Sequence, residues 1–283
     1  MTMVRRRCIG YAQVNKPQSP PRELPPASRQ SQRSLRPYAA HLGNAILRFV
    51  RLVPSSLRRC LMQLVAILGS PRGLKGATGK LLDALVAAAK GRGASVALFS
   101  LADLKILPCR ACDSCHKTGT CRACDDFNRV KDAMLEADGL VLASPNYIWS
   151  VSAQMKCLMD RCCGPLHLQG MEGKYGAAVV TAGSDSREVE AYLLRFLRAL
   201  GCWTVGSVGA EGWRVADPAA SVPALDAAAN LGVRLVEAIE RKETFPEQLP
   251  ERRAFHDRMK ALVTARRADW PFEYDHWRTL GRL

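Results

Sequence analysis

Five short apolar runs alternate with amphipathic segments through the middle of the chain. The runs are LVAILG (64–69), SVALFSL (95–101), LVLASPNY (140–147), YGAAVVTAG (175–183) and WTVGSVG (203–209). The segments between them carry apolar residues at helical spacing, as at positions 81, 82, 85, 86 and 89. Strands that are apolar throughout are buried on both faces, and regular alternation with helices indicates a parallel sheet. The sequence therefore predicts an α/β fold, a doubly wound five-stranded parallel sheet with helices on both faces.

Charge and composition divide the chain into three parts. Residues 1–60 hold twelve Arg or Lys against one acidic residue, Glu23, whereas residues 61–283 hold 29 basic and 25 acidic residues. The first part, rich in Pro, Ser and Arg, is predicted to be a basic, disordered leader. A targeting peptide and a true translation start at Met62 are the alternatives. The folded domain is predicted at 61–242, followed by a polar tail at 243–283 that wraps onto the body or a partner subunit.

Composition excludes several classes of function. The near-balanced body offers no basic surface for nucleic acid. No apolar run reaches the ~18 residues of a membrane-spanning helix. Eleven cysteines at uneven spacing, without a secretory signal, indicate a reducing compartment, by default the cytoplasm. In that setting clustered thiols indicate metal or redox chemistry.

Three loops follow strands at the sheet edge where open parallel sheets bind ligands. The first, GSPRGLKGATGK (69–80), combines glycines, hydroxyls and an arginine at a helix start, which suits a phosphate monoester; a simple connecting turn is the alternative. It matches neither the nucleotide-triphosphate loop nor the dinucleotide fingerprint. In the second, SPNYIWSVSAQMK (144–156), Tyr147 and Trp149 suit a planar ring, or ordinary packing. The third, TAGSDS (181–186), has small residues that permit close approach.

One loop, residues 107–126, gathers five cysteines. Cys109, Cys112, Cys115 and Cys121 have the spacing C-x2-C-x2-C-x5-C, which lets four thiolates surround a small iron–sulfur cluster. Structural zinc and no metal at all are the alternatives. Cys124 is either the true fourth ligand or a redox partner.

Other polar and sulfur-bearing residues receive structural roles. His116, inside the loop, is predicted to be solvated, with metal ligation or proton donation as the alternatives. Asp125 and Asp126 are predicted to cap the following helix. Asp160 and Arg161, with Lys156, are predicted to form ion pairs on a helix face or interface. The remaining cysteines are predicted to serve packing or to lie in the leader: Cys157 and Cys202 in the core, Cys162 and Cys163 in helix packing, Cys8 and Cys60 in the leader.

Four motifs occur in order: GSPR…G-x-T, the cysteine spacing followed by DD, ASPNY…VSAQMK…DR, and VVTAG. Together they resemble the flavodoxin-fold NAD(P)H-dependent FMN reductase family, in its iron–sulfur flavoprotein branch. The resemblance covers about residues 62–283, including the tail with EYDHW. It implies a flavodoxin-like strand order of 2-1-3-4-5 and a [4Fe–4S] cluster on Cys109, Cys112, Cys115 and Cys121.

The resemblance also implies a bound FMN. Its phosphate would be held by Ser70, Arg72, Gly76, Ala77 and Thr78. Its ribityl chain and ring would lie against Pro145, Asn146, Tyr147 and Ile148, and against Thr181, Ala182 and Gly183. Two positions depart from the family: Ala77 stands where Asn is usual, and Asn146 where relatives often have an apolar residue.

The predicted function is that of an FMN-dependent oxidoreductase. Electrons would pass from NAD(P)H or a ferredoxin-like donor to a quinone, a flavin or another small acceptor, and the chain would form a homodimer or higher homo-oligomer. Because flavin performs the redox step, no catalytic side chain is expected. The alternatives are a flavodoxin-like electron carrier, which the slightly basic body disfavours, and a zinc-stabilised binding protein.

Overall fold

The computed structural model describes residues 62–283, so the predicted leader lies outside the described residues. The strands are β1 (Gln63–Leu68), β2 (Ser95–Ser100), β3 (Gly139–Pro145), β4 (Tyr175–Ala182) and β5 (Trp203–Glu211). The helices are α1 (Ala77–Gly91), α2 (Ser114–Thr118), α3 (Phe127–Glu136), α4 (Ala153–Arg161), α5 (Cys163–His167), α6 (Arg187–Ala199), α7 (Gly212–Ala216), α8 (Val222–Glu240), α9 (Leu249–Ala265) and α10 (Pro271–Thr279). Short 3₁₀ turns span Gly73–Lys75 and Pro246–Gln248.

The five strands form one parallel sheet. Their order is β2-β1-β3-β4-β5, which confirms the predicted flavodoxin-like topology. In the centre, Leu64 of β1 pairs with Val96 of β2 on one side and Gly139 of β3 on the other. Because β1 pairs with both β2 and β3, the order in which strands are added to the sheet reverses at β1, and the carboxyl ends of β1 and β3 flank the crevice.

Successive side chains of a strand point to opposite sides of the sheet. Helices cover both sides, so the central strands each contribute to two cores. In β1, Val65 and Ile67 join a core shared with α3, α4 and α6. Leu64, Ala66 and Leu68 join the other core, formed with α1 and α8. The two cores explain why the central strands β1, β3 and β4 are mostly apolar.

The tail folds into α9 and α10. Met259, Val263 and Trp277 form a small third core, and Trp277 Nε1 donates a hydrogen bond to the His167 carbonyl at 3.0 Å. Helix α10 packs against α2, inside the cysteine loop. The tail therefore reaches the loop directly.

Among residues 62–283, no helix combines the length and the apolar character that crossing a bilayer requires.

Candidate functional site

Hydrogen bonds join the three loops at the carboxyl edge of the sheet. The Thr78 and Thr181 hydroxyls lie 2.6 Å apart, linking the start of α1 to the end of β4. The Asn146 amide donates to the Thr181 carbonyl at 2.7 Å, and its side-chain nitrogen donates to the Asp185 carbonyl at 3.0 Å. The Ser152 hydroxyl donates to the Gly69 carbonyl at 2.5 Å. The loops thus form one connected surface.

The start of α1 has the properties of an anion site. Its N-cap, Gly76, supplies no side-chain cap, and no acidic residue lies in the first turn, so the helix-terminal amides are available to a ligand. Ser70 and Thr78 are buried beside it, while Arg72 is exposed. A Cβ at position 79 would lie 2.5 Å from the Leu74 Cα, so glycine allows the turn to close tightly. Ala77 brings no polar group to this cradle.

The loop after β3 ends in a tight turn. Tyr147 and Ser150 exchange backbone hydrogen bonds of 2.8 and 3.2 Å, and between them Ile148 and Trp149 have positive φ angles of 50° and 57°. Left-handed backbone is unfavourable for a β-branched residue such as Ile148. The turn nevertheless holds both side chains out, 85% and 80% exposed, as a ligand or partner surface requires.

The remaining predicted flavin contacts lie at the same edge. Pro145 ends β3 and pairs in register with Thr181 of β4, and both are buried. Ala182 ends β4, and a Cβ at Gly183 would meet no atom within 4 Å, so space remains open there. The structure thus brings all twelve predicted FMN residues to three adjoining loops. Backbone amides, hydroxyls and open space at one edge fit a phosphorylated, ring-bearing cofactor.

The cysteine loop encloses a cavity of about 610 Å³. All five of its thiols line this cavity: Cys109, Cys112, Cys115, Cys121 and Cys124. The Ala111 amide donates to Cys109 Sγ at 3.5 Å, within a turn where Ala111 and Asp113 both have positive φ. Amide and side-chain N–H groups directed at sulfur stabilise thiolate ligands. The donor set and the space therefore fit a thiolate-held cluster.

Arg161 clamps the two ends of the loop, which corrects the prediction of a helix-face or interface ion pair. Its guanidinium is buried and donates to the Leu107 carbonyl at 2.8 Å, to both Asp125 oxygens at 2.8 and 3.2 Å, and to Cys121 Sγ at 3.2 Å. Burial opposes ionisation of Asp125, but bonds from Arg161 and from two backbone amides outweigh it and lower the pKa of that carboxyl.

Three simpler predictions are confirmed in part. Asp125 accepts the Phe127 amide at the start of α3, as predicted, but Asp126, the N-cap residue, makes no capping bond and accepts the Lys105 amide instead. Lys156 and Asp160 form an exposed ion pair on α4 at 2.5 Å. Cys202 lies in the core, whereas Cys157 is only half-buried, so its predicted place in the core is wrong.

His116 is buried, 5% exposed, and the prediction that it is solvated is wrong. Its Nδ1 lies 2.5 Å from one oxygen of Glu273 in α10, and His167 Nδ1 lies 3.0 Å from the other. Trp270 stacks on His116 with ring centroids 4.4 Å apart. Cys163, predicted to serve helix packing, instead lines the cysteine cavity and lies 3.6 Å from His167 Nε2.

These contacts change the acidity of the four groups. Burial opposes charge on His116 and His167, but their bonds to Glu273 and to neighbouring thiols outweigh it and raise the pKa of both imidazoles. Burial likewise opposes ionisation of Cys163, but the two imidazoles lower the pKa of the thiol to about 6. They also lower the pKa of Glu273. The group forms a buried network of compensating charges.

His167, Glu273 and Trp270 were not predicted as site residues, although a signal for Glu273 exists in the sequence. In α10 it lies three residues after Trp270 and four before Trp277, so it shares their helix face. An acidic residue on an otherwise aromatic face indicates a buried partner.

Comparison with known proteins supports a flavin-dependent assignment. Residues 62–213 match the model of the NADPH-dependent FMN reductase family. An iron–sulfur flavoprotein of Archaeoglobus fulgidus is 33% identical over 225 residues, covering 78% of this chain and 99% of that protein. Another, from Methanocaldococcus jannaschii, is 40% identical over 124 residues, covering 44% of this chain and 63% of that protein.

A solved structure shows the same fold. The NAD(P)H:quinone oxidoreductase of Methanothermobacter marburgensis aligns with a TM-score of 0.50 at 16% identity, covering 62% of this chain and 97% of that one. Fold, loop chemistry and relatives agree: this chain belongs to the NADPH-dependent FMN reductase family, in its iron–sulfur flavoprotein branch.

Proposed function

We propose that this FMN-dependent oxidoreductase moves electrons between NAD(P)H or a ferredoxin-like donor and a quinone, a flavin or another small acceptor, with the help of a [4Fe–4S] cluster. The observation that carries the proposal is the cysteine cavity. Five thiols from one loop face a single space on a domain whose relatives are iron–sulfur flavoproteins. A cluster transfers single electrons and a flavin one or two, so together they join one-electron donors to two-electron acceptors.

In this proposal the FMN phosphate binds at the start of α1. The amides after Gly76, the hydroxyls of Ser70 and Thr78, and the Arg72 guanidinium supply the donors. The 2.6 Å contact between Thr78 and Thr181 holds this cradle against the loop that receives the ring. The protein's part is to orient the cofactor and exclude water.

The ring would lie among the loops after β3 and β4. Pro145 and Asn146 enter the turn whose tip carries Ile148, beside Tyr147, and Thr181 to Gly183 form the opposite wall. The side-chain nitrogen of Asn146 donates a hydrogen bond to the Asp185 carbonyl, and this bond fixes the distance between the two loops. This bond gives the polar residue a structural role at a position where relatives often carry an apolar one.

The cluster would be held by Cys109, Cys112, Cys115 and Cys121. The Ala111 amide already donates to the Cys109 sulfur, and the Arg161 guanidinium donates to the Cys121 sulfur. A single zinc ion needs sulfurs at about 2.3 Å from the metal. Within residues 62–283, however, the ligand group gathered within 4.8 Å is His116, Cys163 and His167, not the loop thiols.

We also propose a homodimer and a cytoplasmic location. Ile148 and Trp149 project from the flavin edge, where a second copy could cover them. Gel filtration with light scattering tests the oligomer: a monomer with intact FMN contradicts it.

The test of the main proposal is anaerobic purification followed by iron, sulfide and FMN analysis. We expect four iron atoms per chain and a paramagnetic signal after one-electron reduction. Cys112→Ala should lose iron and keep FMN, while Cys157→Ala, which changes a half-buried thiol outside the cavity, should keep both. Wild-type protein that holds zinc or nothing in place of iron contradicts the cluster assignment.

A second measurement separates an enzyme from a carrier. Steady NAD(P)H oxidation, or oxidation of a reduced ferredoxin, with added quinone supports catalysis. Reduction that stops after one equivalent per flavin supports an electron carrier.

A further inference from the structure

Three metal-binding side chains converge beside the cysteine cavity. One ligand atom from each of His116, Cys163 and His167 lies within 4.8 Å of the other two. His116 comes from α2, whereas Cys163 and His167 lie at the two ends of α5 and share a helix face at spacing i, i+4. Both histidines are nine-tenths or more buried, and Cys163 is half-buried. The three therefore form a preassembled group and not a chance surface cluster.

Glu273 orients both imidazoles toward the thiol. Its carboxylate is fully buried and lies 2.5 Å from His116 Nδ1 and 3.0 Å from His167 Nδ1. With Nδ1–H donating to a carboxylate, Nε2 is the nitrogen left for another partner, and His167 Nε2 already lies 3.6 Å from Cys163 Sγ. A carboxylate behind a histidine is the usual outer partner of a metal-ligating imidazole. Glu273 thus holds two imidazoles around one thiol. A cation bound by all three side chains explains this arrangement.

The donor set specifies the class of cation. Two imidazole nitrogens and one thiolate suit borderline-soft first-row ions, zinc above all, and do not suit magnesium or calcium, which need oxygen ligands. A +2 ion bound to the neutral imidazoles would replace the two imidazole protons that otherwise balance the Cys163 and Glu273 charges. Trp270, stacked on His116, covers one side of the group.

We propose that His116, Cys163 and His167 bind one zinc-class divalent cation, at a site separate from the FMN and the iron–sulfur cluster. The ion fastens the cysteine loop to α5 and, through Glu273, to α10. Its role is structural: it fixes α2, and therefore the loop thiols on either side of α2, in one position. Zinc thus has a place in this protein, although not on the four loop cysteines.

A reactive thiol is the competing interpretation, because Cys163, His167 and Glu273 are also ordered like a nucleophile, a base and its orienting carboxylate. That arrangement needs one histidine. It leaves unexplained why His116 adopts the same pose on the same carboxylate.

The experiment is an anaerobic cobalt titration of the full, untagged chain carrying Cys109→Ser and Cys112→Ser, which disable the cluster loop. Cobalt(II) replaces zinc and reports a thiolate ligand by a charge-transfer band and tetrahedral coordination by its visible bands. We expect one equivalent to bind, and one equivalent of zinc to displace it. Adding Cys163→Ser, or His167→Gln, should abolish stoichiometric binding, and adding Glu273→Gln should weaken it about 10- to 100-fold. Adding Cys157→Ser is the matched control and should change nothing.

Folding and reactivity controls keep each outcome interpretable. Circular dichroism and FMN affinity of every variant show whether the chain is folded, independently of the cobalt signal. The proposal is overturned if the folded loop variant binds no cobalt, or if its binding survives Cys163→Ser. It is also overturned if iodoacetamide alkylates Cys163 as fast with one equivalent of zinc as without it. Absence of iron or flavin in the wild type would affect only the proposed function.

Discussion

The buried pair of Arg161 and Asp125 should contribute strongly to stability, and Asp125→Asn tests it. The two side chains are 2% and 0% exposed and joined by contacts of 2.8 and 3.2 Å. The substitution keeps the size of the side chain but only one acceptor oxygen, so of the bonds from the Leu107 and Phe127 amides, which go to different oxygens, only one can be retained. It also removes the carboxylate that contacts the guanidinium and leaves a buried charge uncompensated.

Breaking a buried ion pair from one side costs about 3 to 5 kcal/mol, out of a typical total stability of about 5 to 15 kcal/mol. We therefore expect Asp125→Asn to lower the unfolding free energy by about 3 kcal/mol or more while the chain still folds. The assay is urea unfolding of the FMN-free and metal-free chain, followed by tryptophan fluorescence and linear extrapolation. The matched control is Asp160→Asn, next to Arg161 in sequence, whose exposed pair with Lys156 should contribute less than about 1 kcal/mol.

A double-mutant cycle separates the interaction energy of Asp125 and Arg161 from the other effects of each substitution. Arg161→Met removes the other partner, and the double variant should be about 2 kcal/mol more stable than the sum of the single effects implies. Additive effects, or an Asp125→Asn cost no larger than that of Asp160→Asn, would refute the reasoning.

The same pair sets a dependence on pH. Because the pKa of Asp125 is lowered in the folded protein, its contribution is complete above the unfolded-state value of about 3.9 and is lost as pH falls through the folded value. The stability difference between wild type and Asp125→Asn should therefore be constant near neutrality and shrink in acid. A difference that grows on acidification contradicts the assignment.

Three further substitutions test the flavin edge. Gly79→Ala places a Cβ 2.5 Å from the Leu74 Cα and should weaken FMN binding at least tenfold in a fluorescence titration, and an unchanged Kd would count against the anion cradle. Thr181→Val leaves the buried Thr78 hydroxyl without its 2.6 Å partner and should lower the free energy of urea unfolding by about 1 to 3 kcal/mol. The double variant Thr78→Val/Thr181→Val should lose less than the sum of the two single losses. Trp149→Ser, at a side chain 80% exposed, should change monomer stability by less than about 0.5 kcal/mol yet shift gel-filtration mass toward the monomer; an unshifted dimer argues against contact through this turn.

The sheet could be predicted from the sequence because its signals are local and repeated. The central strands are mostly apolar, since both of their faces are buried, and strands alternate with helices along the chain. The site edge follows from topology, because parallel strands present their carboxyl ends together. The Gly-rich loop after β1 could thus be located without any contact information.

The histidine group could not be predicted in this way because its parts are far apart in sequence. His116 and Glu273 are separated by 157 residues, and His167 and Glu273 by 106. A histidine between cysteines in a polar loop has the same local pattern whether solvent or a tail helix covers it. The prediction for Arg161 was wrong for the same reason. Its partner Asp125 lies 36 residues earlier, on a loop that helps to bury the guanidinium.

The contact between His116 and Glu273 also sets an order of events during synthesis. A ribosome adds about 5 to 20 residues per second, so the 157 residues between these partners take roughly 8 to 30 seconds to make. Throughout that interval the thiol-rich segment is already translated, but His116 lacks the carboxylate and the indole that will cover it. The final position of α2, and of any metal ligand that depends on it, is therefore fixed only after residue 273 has been made.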